Sequence, residues 1–226
     1  MTLDLRIRSS AGTSFLEPRA SGAAPVVVGG ASGASHFTYA GMTGVIGAAL
    51  ASNSSVFAMR LSPTAGSIKA FVHKVRLLYV TTVAYTTPIT AGRRLCLWRG
   101  SGAAASSGTG VVTGTVAQKD TNFAGGNGQC DVSAGGDIRI ATTGALTTTG
   151  ITFETEPLAA LLLAQAGNAG NFVERIYEYS PISGYPVILN AGQLLAVRTP
   201  NAFDAAGTWQ LAVEVEWQES ASDIGT

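Results

Sequence analysis

Few side chains in this chain could do chemistry. There are two histidines, His36 and His73, and two cysteines, Cys96 and Cys130, and no second Cys or His lies near either cysteine at metal-ligand spacing. His73 has no acidic or cysteine neighbour in sequence, so it reads as a half-buried strand residue and not as a base. Cys96 sits in Leu95-Cys96-Leu97-Trp98, where a buried thiol acts as a small hydrophobe. Asp120, Asp131 and Asp137 are six or more residues apart, too widely spread for a calcium loop. Gly108-Thr109-Gly110 runs into a strand-like segment, Val111 to Ala117, and a phosphate loop needs a helix N-terminus there. Glu174 and Glu178 would share one strand face about 14 Å apart, too far for paired-carboxylate hydrolysis within that strand. No serine nucleophile elbow is present. The expectation is a chain with no catalytic residue, no metal site and no cofactor, and therefore not an enzyme.

The elements that would position these groups read as strands. From Thr208 to Glu219, Trp209, Leu211, Val213, Val215 and Trp217 alternate with Gln210, Ala212, Glu214, Glu216 and Gln218. Successive strand side chains face opposite ways, so the run predicts a long strand with one dry and one wet face. Phe57, Met59 and Leu61 alternate in the same way ahead of the turn residues Ser62 to Gly66. Between Ser67 and Tyr85 the apolar phase changes near His73-Lys74, which predicts a bulge or a strand crossing between sheets. Arg94 to Arg99 has apolar residues on both faces and reads as a strand covered on both sides. Glu156 to Gly167 is the one helix predicted, from Pro157 in its first turn, Leu158, Leu161 and Leu162 at helical spacing, and Gly167 as its stop. Closely spaced strands continue through Tyr185–Leu189 and Leu194–Arg198. The fold expected is all-β, a β-sandwich of jelly-roll type with one short helix.

Residues 1–39 read as an extended N-terminal arm and residues 40–226 as the sandwich domain. The arm is mostly Ser, Ala, Gly and Pro but holds two apolar islets, Leu3, Leu5 and Ile7, then Val26, Val27 and Val28. A solvating tail has no use for such islets, so these six residues are the candidate assembly contacts, laid on another subunit.

Charged residues make up 12% of the chain, the net charge is zero and there are 28 glycines, while 46% hydrophobic residues suffice for a core. A surface with so little charge resists self-association weakly, which suits a subunit packed against neighbours. The absence of a basic run argues against direct nucleic-acid binding. Met1 to Arg8 lacks the apolar segment of a secretory signal. No stretch reaches the ~18 apolar residues of a membrane span.

Two blocks carry a family likeness: Tyr185-Pro-Val-Ile-Leu-Asn-Ala-Gly-Gln-Leu-Leu-Ala-Val-Arg198, and Ala206-Gly-Thr-Trp-Gln-Leu-Ala-Val-Glu-Val-Glu-Trp-Gln-Glu219. Their order of apolar strand, Asn/Gly turn, strand ending in Arg and final Gly-Thr-Trp strand resembles the end of β-sandwich virion structural proteins of tailed bacteriophages. The resemblance covers roughly the last forty residues and rests on pattern, not on a diagnostic motif. It implies an accessory capsid, cement or head-to-tail protein present in many copies in the virion, assembled in the host cytoplasm. The implied partners are copies of the chain itself, as a homo-oligomer taken to be a trimer, and other virion proteins such as the major capsid protein, with the arm as the attachment device. The alternative expectation is a carbohydrate- or receptor-binding module with Tyr177, Tyr179, Tyr185 or Trp98 as a stacking platform.

Overall fold

The long alternating strand at the C-terminus sits near the centre of one of two antiparallel sheets. In a computed structural model of the chain, the described residues are 35–47, 50–85, 92–110, 117–118, 128–130, 136–163, 171–179, 186–203 and 207–221. Thirteen strands run along them: β1 (Ser35–Met42), β2 (Ser54–Arg60), β3 (Lys69–Val83), β4 (Arg93–Gly102), β5 (Thr109–Gly110), β6 (Ala117–Gln118), β7 (Asp137–Ile140), β8 (Ile151–Phe153), β9 (Ala159–Leu163), β10 (Asn171–Glu178), β11 (Val187–Leu189), β12 (Gln193–Thr199) and β13 (Thr208–Ser220). The first sheet has the order β10-β3-β13-β1-β6, with β11 also on β3. The second has β5-β7-β2-β12-β4-β8, with β9 also on β4.

The inner faces of the two sheets meet in one core. Trp209, Leu211, Val213, Val215 and Trp217 of β13 are all buried, as their alternation predicts, and so are Phe57 and Met59 of β2 and Leu95 and Leu97 of β4. Tyr39 of the first sheet stacks on Phe57 of the second, ring centroids 5.9 Å apart, which marks the contact between layers. At one end Trp209 packs on Tyr79 and Phe203 at 5.2 and 5.4 Å. The chain can pass that end only with glycine at 207, because a Cβ there would run into the Tyr85 ring.

At the other end a carboxylate holds a loop. Glu219, 6% exposed, accepts from the Gln129 N–H at 2.5 Å, the Cys130 N–H at 3.2 Å and the Trp217 Nε1–H at 2.9 Å. The Gln129 carbonyl takes the Ser62 N–H at 2.8 Å, so this short loop ties the turn after β2 to the end of β13.

The predicted phase change in β3 is a bulge in a single long strand. Lys74 pairs with Glu216 and Val72 with Trp217, so His73 is the extra residue, and the slip returns Val72 to the core side. The strand through Cys96 and Trp98 is covered on both sides, with those two residues 2% and 9% exposed.

Two expectations are corrected. The helix predicted over Glu156–Gly167 is strand β9 at Ala159–Leu163, and residues 164–167 lie outside the described ones. Leu161 and Leu163 are buried while Leu162 is 66% exposed, a period of two. A leucine run fits either period, and the edge of β4 decided it by offering backbone hydrogen bonds, so that Ala159 to Leu163 pair antiparallel with Leu97 to Arg93. The arm boundary also moves. Ser35–Tyr39 belong to β1, because Phe37 and Tyr39 put their rings in the core opposite Trp217 and Val215.

Candidate functional site

The first sheet leaves part of its outer face open to solvent, while Phe71 and Gln218 on the same face are buried, and the strand period decides what stands there. From β13 come Ala212, Glu214 and Glu216; from β3 come Leu78, Arg76 and Lys74; from β1 come Met42, Ala40 and Thr38. Cross-strand register aligns them in rows, Met42–Ala212–Leu78, Ala40–Glu214–Arg76 and Thr38–Glu216–Lys74.

The charged rows are paired across the strands. Lys74 Nζ donates to Glu216 Oε1 at 2.6 Å and to Glu214 Oε1 at 3.3 Å, and Arg76 Nη1 donates to Glu214 Oε2 at 3.0 Å. The hydrogen bond to Glu216, chiefly, holds the Lys74 ammonium above its ordinary range. Beside these rows the alanines at 40 and 212 are too short to fill the face. They form the floor of an open basin of about 450 Å³, with Met42 and Leu78 rising at its sides and the Arg76–Glu214 pair at one end. Met42 is 52% exposed, so a large apolar side chain stands in solvent at the rim.

The bulge at His73 builds a second feature on the sheet. The His36 and His73 rings stack at 5.8 Å and 12°, and Tyr179 lies against His73 at 5.8 Å, making a row of three half-buried rings. Gln218 lies between the two histidine strands and is buried. Burial, and then the charge of His36, push the His73 pKa below its ordinary value, and its Nε2 is buried without a hydrogen-bond partner. Their positions in sequence, 36 and 73, do not announce this pairing. The signal that could have found it is the phase change at His73 together with the run His36-Phe-Thr-Tyr39, whose own alternation matches an outward His36 with inward Phe37 and Tyr39. Stacked rings present faces to each other, and among the described residues no three His, Cys, Asp or Glu side chains are placed to share a metal ion.

The other singled-out residues are scattered. Trp98 lies in the second sheet under Arg198, whose guanidinium is 5.5 Å from the Trp98 ring and 3.7 Å from that of Phe153. Tyr177 packs against the core, and its hydroxyl accepts the Val187 N–H at 2.8 Å. Tyr185 lies outside the described residues, so of the predicted stacking residues Tyr179 alone stands in the ring row. Cys96 and Cys130 are free and buried, and burial raises both thiols. Leu3, Leu5, Ile7, Val26, Val27 and Val28 lie outside the described residues. Comparison with protein-family models, with curated proteins and with solved structures finds no match to this chain.

Proposed function

We propose that this chain is a non-enzymatic structural protein of a phage virion, a capsid decoration or cement subunit that works by burying surface against neighbours. The observation that carries the reading is the open outer face of the first sheet, an apolar basin bordered by paired charges, on a chain with only 12% charged residues. The phage particle as its setting, and a jelly-roll strand order, come from the likeness of the last forty residues to virion sandwich proteins. In this reading the arm, through Leu3, Leu5, Ile7, Val26, Val27 and Val28, attaches the subunit to the particle and to the major capsid protein. Antibody labelling of phage particles from the source strain tests the assignment. Label on particles in many copies supports it, and protein found only in the soluble fraction rejects it. Removing residues 1–32, which end ahead of β1, should abolish attachment and leave the melting temperature of the sandwich unchanged. Attachment that survives the deletion rejects the arm's role.

The His36–His73–Tyr179 row favours a second reading, a carbohydrate- or receptor-binding module. Saturable glycan binding that is lost in Tyr179→Ala would establish it in place of the first.

A further inference from the structure

The outward side chains of the two central strands of the first sheet are sorted by sign. β13 carries the two acids, Glu214 and Glu216, and β3 the two bases, Arg76 and Lys74. Register sets Ala212 against Leu78, Glu214 against Arg76 and Glu216 against Lys74. A line drawn along the strands midway between β13 and β3 therefore has acid on one side and base on the other at both charged levels.

We propose that this face is the contact surface of a twofold dimer of the chain, with the symmetry axis lying on that line. Rotation about it brings a second copy face to face and exchanges the two strands. Glu214 of the second copy then arrives over Arg76, its Glu216 over Lys74, and its Leu78 over the alanine floor at 212. Such a contact is isologous: each copy supplies one raised leucine and receives the other in its basin. An axis running across the strands would instead set β13 on β13 and acid on acid. The charge pattern thus selects one axis and one partner, because no unrelated surface need present the same strip in reverse. The Glu214–Arg76 pair of 3.0 Å within each copy becomes half of a four-membered ring of alternating charge. Met42, 52% exposed in the single chain, lies at the edge that the second copy covers.

Nine outward positions, at a strand spacing of ~4.8 Å and an outward repeat of ~6.6 Å, make this face roughly 290 Å² per copy. Two such faces stay below the ~1,000 Å² total of a stable specific interface, so the dimer is a weak, reversible one whose selectivity comes from its charge pattern. The inference rests on reading this face as a contact surface and not on the assignment to a virion. Particle labelling tests the virion assignment, and solution mass tests this contact.

Sedimentation of the full chain from about 10 μM to about 1 mM, the range in which a small, weak interface associates, should show a reversible monomer–dimer equilibrium. Ala212→Arg, which fills the basin floor without touching the core, should leave a folded monomer with an unchanged circular dichroism spectrum. Arg76→Glu should weaken the dimer at least about tenfold, the equivalent of one lost charge pair at each of two symmetric positions. Adding Glu214→Arg to that variant should restore it. A wild-type chain that stays monomeric overturns the proposal, as does any oligomer indifferent to Ala212→Arg or a double exchange that fails to restore association.

Discussion

Glu219 offers the sharpest test of how the sandwich is closed. It is a carboxylate at the end of β13, 6% exposed, with no basic side chain among its hydrogen-bond donors; its partners are the N–H groups of Gln129, Cys130 and the Trp217 indole. In Glu219→Ala the half-buried Gln129 N–H can turn to water, whereas the Cys130 N–H and the Trp217 Nε1–H are left in the interior. An unsatisfied buried donor costs about 1–3 kcal/mol, so the loss should be about 2–6 kcal/mol, a large share of the ~5–15 kcal/mol typical of a domain. Trp217→Phe keeps a ring against Phe37, now 5.6 Å from the indole, and deletes only the N–H and part of the volume, for about 1–3 kcal/mol. Trp217→Ala adds the cavity and should cost about 3–5 kcal/mol. Urea unfolding followed by far-ultraviolet circular dichroism reads each value and the m-value that guards against a changed unfolded state. The double variant Glu219→Ala, Trp217→Phe should fall short of the sum by about 1 kcal/mol, since the bond between them can be lost only once. Additive losses, or a Glu219→Ala protein within about 0.5 kcal/mol of wild type, would sink the argument that this carboxylate holds the loop.

Other outcomes follow from the same geometry. His73 is a base whose folded pKa is pushed down by burial first and by His36 second, so the unfolded chain binds its proton more readily. Stability should be full above the ordinary histidine value of ~6.5 and fall as pH drops through it toward the lower folded pKa. Thermal melts between those limits should slope for wild type and flatten in His73→Phe; an unchanged slope places the proton coupling elsewhere. In β9, Leu162→Asp should cost no more than about 0.5 kcal/mol and Leu161→Ala about 2–5 kcal/mol. Equal losses would contradict the period-two burial of this segment.

The strands of this protein were legible where burial alternates along the chain. Trp209 to Trp217 announce their inner face residue by residue, because side-chain direction in a strand is a local property with a repeat of two. Even the bulge at His73 is written locally, as a change of apolar phase within β3. The chain order also carries the low charge and the outward placement of Glu214 and Glu216.

What only the tertiary structure decided is which strands lie side by side. Leu161, Leu162 and Leu163 offer no polar residue to set a period, so the helix expected there gave way to the free edge of β4. Phe37 and Tyr39 sit in a short segment after a glycine-rich stretch, and it is pairing with β13 that makes them core and not arm. His36 and His73 meet because β1 and β3 both flank β13, and Glu219 finds its loop because residues 128–130 come back to the same end. Each of these depends on a contact between positions far apart in sequence, set by register and sheet order, which no local pattern encodes. The face that sorts acids onto one strand and bases onto its neighbour exists only once β3 and β13 are paired.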